Sequence, residues 1–389
     1  MQKVRANIHL ANIRRNAEAF SALTKTKICA VVKANAYGHG AEEVVSALSQ
    51  TVDSFAVSIL DEAIAIRVAA CGKEILVLTP PTEEEEGYLL AANGFTATVD
   101  SLKAAVLLSK VCKQYRLSLN VHLKVNTGMN RYGMNVQTLG KVCKLLRFDP
   151  YLRVKGIYSH LCECDLTRAE KQRMLFERMR KVCKRYFPAV ISHLGGTYGA
   201  LLGKKYTYDA VRIGLGLYGY LPCGATAKTG VAAATVARLD LQKGMTVYAK
   251  AISVRKYVFG GAGYGKELTG KKPEYLSVYR LGYADGFLRK RKNGVVGWEK
   301  NANVLCMDAC VRAGKCRRGQ WLPVMTDADQ TADLTGTVSY EVLCAATRRA
   351  EFVYDDEIAF CGGDNSFKKG TKGAPACIYE RKKGGKHQP

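Results

Sequence analysis

No stretch of this 389-residue chain stays apolar long enough to cross a bilayer. Even the run Val231–Ala237 falls far short. The N-terminal segment MQKVRANIHLANIRR lacks the apolar core of a secretion signal, so a cytoplasmic protein is expected. The 14 cysteines show none of the CxxC spacing of a zinc site. Without a secretion signal they read as free thiols in a reducing compartment rather than as a disulfide framework. Acidic residues are scarce, 34 against 59 lysines and arginines, which gives a formal net charge of +25. Such a charge could neutralise nucleic-acid phosphates. The basic residues are nevertheless spread along the whole chain. Their densest clusters, Arg289–Lys292 and Arg381–Lys383, are short and carry no interleaved aromatics. They read as a solvated basic surface, with neither a nucleic-acid nor a membrane partner expected.

What is present is a long alternation. Short apolar, β-branched runs are expected as strands at Ile28–Val32, Ser54–Ser58, Ile75–Leu78, Phe95–Val99, Leu117–Val125, Val154–Ser159, Ala189–His193 and Ala210–Gly214. Amphipathic helical segments lie between them, among them Ala41–Ser49, Leu60–Ala70, Ser101–Lys113 and Arg168–Tyr186. The last follows Thr167, with Glu170 three residues on, a capping-box spacing. Eight strands alternating with helices predict an α/β fold, a (β/α)8 TIM-type barrel, over about residues 10–234. The chemically capable side chains fall at or just after expected strand ends: Lys33, Lys124, Arg131, His160, His193 and Arg212. In a barrel those ends share one face, where active sites are built.

After about residue 235 period-two segments appear, at Met245–Val254 and Tyr275–Tyr283, with a glycine-rich turn at Gly260–Gly265. They predict a mostly β domain over 235–361. From residue 362 to 389 the chain turns glycine- and lysine-rich and is expected to be a mobile tail, with one short strand at Ala376–Tyr379.

The most informative segment is Ala30-Val-Val-Lys33-Ala-Asn-Ala-Tyr37-Gly-His39-Gly40. A lysine where a buried strand opens onto a loop can hold a carbonyl cofactor as a Schiff base, and the glycines permit close approach of backbone to a ligand. Alone, a valine-valine-lysine run reads rather as a structural lysine at a strand end. The whole segment resembles the cofactor-lysine segment of the pyridoxal-phosphate-dependent alanine racemases. Further blocks match that family in order. Val121–Gly133 is similar to LKVDTGMxRxG, His193–Thr197 to HxANS, and Leu281–Gly286 to GYADG. Leu305–Asp308 is similar to ICMD. The resemblance runs from the N-terminus to about residue 354.

The resemblance implies pyridoxal 5'-phosphate as cofactor, a racemase acting on alanine, and the N-terminal strand, residues 1–9, joined to the β domain. It implies that Lys33 carries the cofactor and that Tyr37, Thr197, Gly214, Leu215 and Tyr340 serve its phosphate. His160 would pack against the ring and Arg212 would face the pyridine nitrogen. An arginine does not readily give up its proton, so that nitrogen would stay unprotonated, which suppresses transamination. Arg131 would orient the substrate, and Lys124 matches a lysine that is carbamylated in many members. His39 belongs to the first block as a support of the turn. Asn126 stands where the family has an acidic residue, and Gly196 where it has asparagine.

Moving a proton from one face of a carbon to the other is simplest with two bases. By resemblance these are Lys33 and Tyr264, the latter reaching in from a second subunit with Tyr283 and Met307. A head-to-tail homodimer is therefore expected. A serine-preferring racemase is the near alternative. A cofactor-dependent decarboxylase and a non-catalytic cofactor-binding protein are the alternatives from other classes.

Overall fold

The computed structural model describes residues 4–222, 229–262, 264, 273–288 and 305–355. Strand β1 (Val4–Ile8) leads into a helix, Leu10–Thr24, and then into eight strands. These are β2 (Lys27–Val31), β3 (Ser54–Val57), β4 (Glu74–Val77), β5 (Thr96–Val99), β6 (Leu119–Lys124), β7 (Leu152–Tyr158), β8 (Ile191–His193) and β9 (Ala210–Ile213). They pair in parallel in the order β8-β7-β6-β5-β4-β3-β2-β9. Backbone bonds from Asp209 N to Ser192 O and from Arg212 N to Gly195 O, both 3.0 Å, join the two ends of this order. The expected barrel is present, each strand within two residues of its expected ends.

The strands are short and buried on both faces because helices cover the outside, which is why they read as continuous apolar runs rather than alternating ones. The barrel interior is not wholly apolar. Thr98, His122, His193 and Arg212 are all buried inside it. Those side chains must find partners there, since an unpaired buried polar group is costly.

The helix expected from Arg168 runs over Leu166–Tyr186. Its cap is Asp165, whose carboxylate accepts from Arg168 N at 2.9 Å; Thr167 lies inside the first turn. The aspartate prevails because it sits three residues before an N–H that has no partner within the helix.

The second sheet is built around one long strand, β10 (Met245–Lys256), with β11 (Tyr275–Tyr279), β12 (Cys310–Ala313), β13 (Trp321–Met325) and β14 (Glu351–Tyr354). Strand β1 lies between β10, antiparallel, and β14, parallel. The segment expected as a strand through Tyr283 stops at Tyr279. Tyr283 instead begins a single helical turn, because Gly282 presses against Met307 O; a Cβ on it would lie 2.1 Å away. Two helices, Ala328–Thr335 and Ser339–Ala345, went unread in the sequence. Each is about two turns long, too short to show a clear helical period. The basic cluster at 289–292, Gly263, Gly265 and the tail with its expected strand lie outside the described residues.

The helix Ser339–Ala345 packs on the barrel mouth. Gly38, at φ +79°, faces Leu343 O so closely that a Cβ would lie 2.4 Å from it. Only glycine satisfies both that φ and that contact.

Candidate active site

Just beyond β2, Lys33 opens a left-handed turn. Ala34, Asn35, Ala36 and Tyr37 all have φ of 52–53°, with no glycine among them. Each such residue costs about 1–2 kcal/mol, so the surroundings must hold the turn. Glu62 Oε1 accepts from Ala34 N at 2.7 Å, and Asn35 Oδ1 accepts from Ala41 N at 2.8 Å. His39 donates from Nδ1 to the carbonyls of Ala36 and Tyr37, both at 3.0 Å, and stacks on Tyr218. Burial lowers the His39 pKa to about 4, so the ring is neutral and serves as scaffold.

Lys33 and Tyr37 then line a cavity of about 440 Å³ at the barrel mouth. Burial, and next the charge of Arg131, lowers the Lys33 pKa below its ordinary value. The amine is thereby more available as a nucleophile or base. Tyr37 Oη rests against Gly214, where a Cβ would lie 2.6 Å from it. Burial raises the Tyr37 pKa, so the hydroxyl remains a donor. Thr197 Oγ accepts from Gly216 N at 3.3 Å, which leaves its own O–H to point elsewhere. Thr197 and Leu215 each begin a short helical turn, whose first N–H groups have no partner within the turn. Tyr340, from the second domain, closes this corner with its ring 5.9 Å from that of Tyr37.

Arg212 forms the opposite end. It donates from Nη1 to His193 Nδ1 at 2.7 Å and to His193 O at 3.0 Å. From Nη2 it reaches Ser159 O at 2.5 Å and His160 Nδ1 at 3.3 Å. Burial lowers its pKa, but a guanidinium stays protonated at physiological pH. Burial, and then Arg212, hold the His160 and His193 pKa values well below the usual range, so both rings are neutral acceptors for it. The space that an asparagine would need at position 196 is taken by His160, whose Cε1 would be 3.2 Å from a Cβ there.

Lys124 ends β6 and is buried, its Nζ 4.5 Å above the Tyr158 ring. Burial, then Arg212 and Arg131, push its pKa well below the ordinary value, and no carboxylate among the described residues pairs with it. Arg131 is exposed at the cavity rim. Asn126 shapes the intervening loop: its Oδ1 accepts from Gly128 N at 3.0 Å and Asn130 N at 3.2 Å. That work needs an oxygen and no charge.

Tyr264, Tyr283 and Met307 do not line this cavity. They are exposed on the second domain, Tyr264 to 78% and Met307 to 54%. Tyr283 and Met307 are neighbours there, linked through Ala284 N donating to Met307 O at 3.0 Å. Tyr158 was missed in the sequence. Its ring stacks on His193, with Lys124 and Arg212 both over it. His122 was missed as well, although it lies two residues before Lys124 on one strand and so shares its face.

The chain matches the model of the alanine racemase N-terminal domain over residues 8–222 and that of the C-terminal domain over 244–354. It is 31% identical to the alanine racemase of Carboxydothermus hydrogenoformans, across 91% of this chain and 100% of that one. Among solved structures it is similar to the alanine racemase of Clostridium difficile 630, with a TM-score of 0.82, 28% identity, and coverage of 91% and 96%. The fold is also that of the alanine racemase from Bartonella henselae with covalently bound pyridoxal phosphate, at TM-score 0.74 and 23% identity, covering 91% and 99%.

Proposed function

This chain belongs to the alanine racemase family, and from that premise we propose that it is an isomerase interconverting L- and D-alanine with pyridoxal 5'-phosphate. The observation that carries the reading is the convergence of Lys33, Tyr37, Thr197 and Arg212 on one cavity of about 440 Å³.

The residues present fit the cofactor. Lys33 supplies an amine with a lowered pKa, and the Tyr37 and Thr197 hydroxyls with the two helical-turn starts form a donor-rich corner for a phosphate. The close seat of Tyr37 Oη on Gly214 keeps that corner open, since any larger residue at 214 would fill it. Lys33 would hold the cofactor, with Tyr37, Thr197, Gly214, Leu215 and Tyr340 at its phosphate and His160 and Arg212 along its ring. When bound, the cofactor supplies an electron sink for the charge left at the α-carbon.

The chain's own residues do the rest. Lys33 Nζ takes or returns the α-proton on one face, the D-face by resemblance. Tyr264 Oη serves the L-face, brought in with Tyr283 and Met307 by a second copy of the chain. Their exposure on the protomer, away from its own cavity, supports this composite arrangement. Arg212 keeps its proton and so favours return of the α-proton over competing chemistry. Arg131, at the rim, orients the substrate, and Tyr340 narrows the entrance to favour a small side chain.

Incubating the holoenzyme with L-alanine and, separately, L-serine, followed by chiral chromatography, tests this reading. D-alanine is expected at the higher rate. Faster D-serine formation would move the enzyme to the serine branch. Release of an amine and carbon dioxide would replace the racemase reading with decarboxylation.

The lowered pKa of Lys124 makes its uncharged amine more available for carbamylation. Its Nζ would form a bond to the carbon of CO2 and release one proton, leaving an anion between Arg131 and Arg212. The two arginines that lower the lysine's pKa would then stabilise the product. Labelled 13CO2 should give a carbamate resonance in the protein that Lys124→Ala lacks; identical spectra would remove the proposal.

A further inference from the structure

Beneath Arg212 a line of buried polar side chains continues through the barrel core. His193 accepts from Arg212 on Nδ1 at 2.7 Å, and its Nε2 lies 3.0 Å from His122 Nδ1. His122 Nε2 lies 3.4 Å from Glu74 Oε1, looser than a close hydrogen bond, and has no other partner among the described residues. Glu74 is the first residue of β4, at the barrel's N-terminal end, and its side chain is 35% exposed. Thr96, the first residue of β5, donates to the same Oε1 at 2.8 Å.

The chemistry gives this line one direction. A guanidinium only donates, so His193 Nδ1 must be bare and its proton must sit on Nε2. That proton is then donated to His122 Nδ1, which forces the His122 proton onto Nε2. The last N–H has the Glu74 carboxylate, which only accepts, across 3.4 Å, a contact too loose to count as a hydrogen bond. Each imidazole must be neutral for this to hold. The charges facing them are Arg212, Lys124 and Glu74, and burial outweighs Glu74, lowering the His122 pKa to about 4. The Cys29 thiol, which also faces Arg212, is kept neutral by burial, with a pKa of about 11. Tyr158 stacks on His193 and donates its hydroxyl to Thr98, whose own proton goes to Val77 O.

We propose that His122 and Glu74 are positioning residues for Arg212. Together with His193 they form a one-way line from the cavity floor to the far end of the barrel, in which Arg212 sets the tautomer of both rings and Glu74 offers the last N–H its acceptor. Reversal of His193 would set an N–H against the guanidinium, and reversal of His122 would set one against His193 Nε2–H; either would disturb the seat of Arg212. The role in turnover rests on the function proposed above; the tautomers do not.

The test uses holoenzyme labelled with 15N-histidine, the His122 and His193 resonances being assigned among the six histidines with His122→Gln and His193→Gln. His193 and His122 are each expected to carry one proton, on Nε2, unchanged between about pH 6 and 8. In Glu74→Ala both tautomers should persist, since Arg212 sets them. In the same variant kcat should fall about 10-fold with KM little changed, the scale of losing an outer hydrogen-bond partner. Glu74→Gln keeps a carbonyl acceptor and should restore kcat. Protonation of His193 on Nδ1, or unaltered kcat in Glu74→Ala, would overturn the proposal. Should the wild type not racemise alanine, the function assignment fails separately, and the tautomers still decide whether the chain exists.

Discussion

Lys33→Ala is expected to lower racemisation by at least about 10³-fold, because one change removes the proposed attachment of the cofactor and one of the two proposed bases. Borohydride treatment of the wild type should fix the cofactor to the peptide that contains Lys33. The variant should yield no such adduct while still binding cofactor through the Tyr37 and Thr197 corner. Folding should be unharmed. The largest influence on the Lys33 amine is burial, which opposes its charged form, so its removal sacrifices no strong ion pair. A melting temperature near that of the wild type is therefore expected. Activity within about 10-fold of wild type would exclude Lys33 from both roles.

The second large effect concerns a side chain that the cavity of its own protomer does not contain. Tyr264 is 78% exposed, so Tyr264→Phe removes one hydroxyl with no buried partner and should leave stability within about 0.5 kcal/mol. Racemisation should nevertheless fall about 10³-fold. In D2O the variant should still exchange the α-proton of D-alanine through Lys33, and should no longer exchange that of L-alanine. Equal loss on both enantiomers would contradict the division of faces.

The composite site is tested by mixing the two inactive variants. A Lys33→Ala chain still offers Tyr264, and a Tyr264→Phe chain still offers Lys33. After dissociation and random reassociation, half of the dimers carry one intact site of two, so about a quarter of wild-type activity should return. No recovery, from subunits shown to exchange, would place both bases in one chain.

Much of the barrel was legible because its signals are local. A buried parallel strand must be apolar along its length, and it must be followed by a helix that covers it. Eight repetitions of that pattern leave few other architectures. The strand-end lysines, histidines and arginines could be placed on one face for the same reason. The two short helices of the second domain were not legible, since seven or eight residues barely establish a period. The end of the strand at Tyr279 was hidden too, because Gly282 answers to Met307 O, a contact 25 positions along the chain.

The sequence by itself determined the barrel, the β-rich second part and the identity of the cavity-lining groups, since these depend on residue type and spacing within one strand–helix unit. Only the tertiary structure decided the left-handed turn after Lys33. Its φ values run against local preference and are held by His39, Glu62 and the helix packed on Gly38. Tertiary structure also decided that Tyr264, Tyr283 and Met307 lie outside their own cavity, and that Arg212, His193, His122 and Glu74 form one line. Those four come from four separate strands. Closure of the barrel alone brings them together; burial keeps both rings neutral, and the donor-only guanidinium of Arg212 dictates which nitrogen of each ring carries the proton.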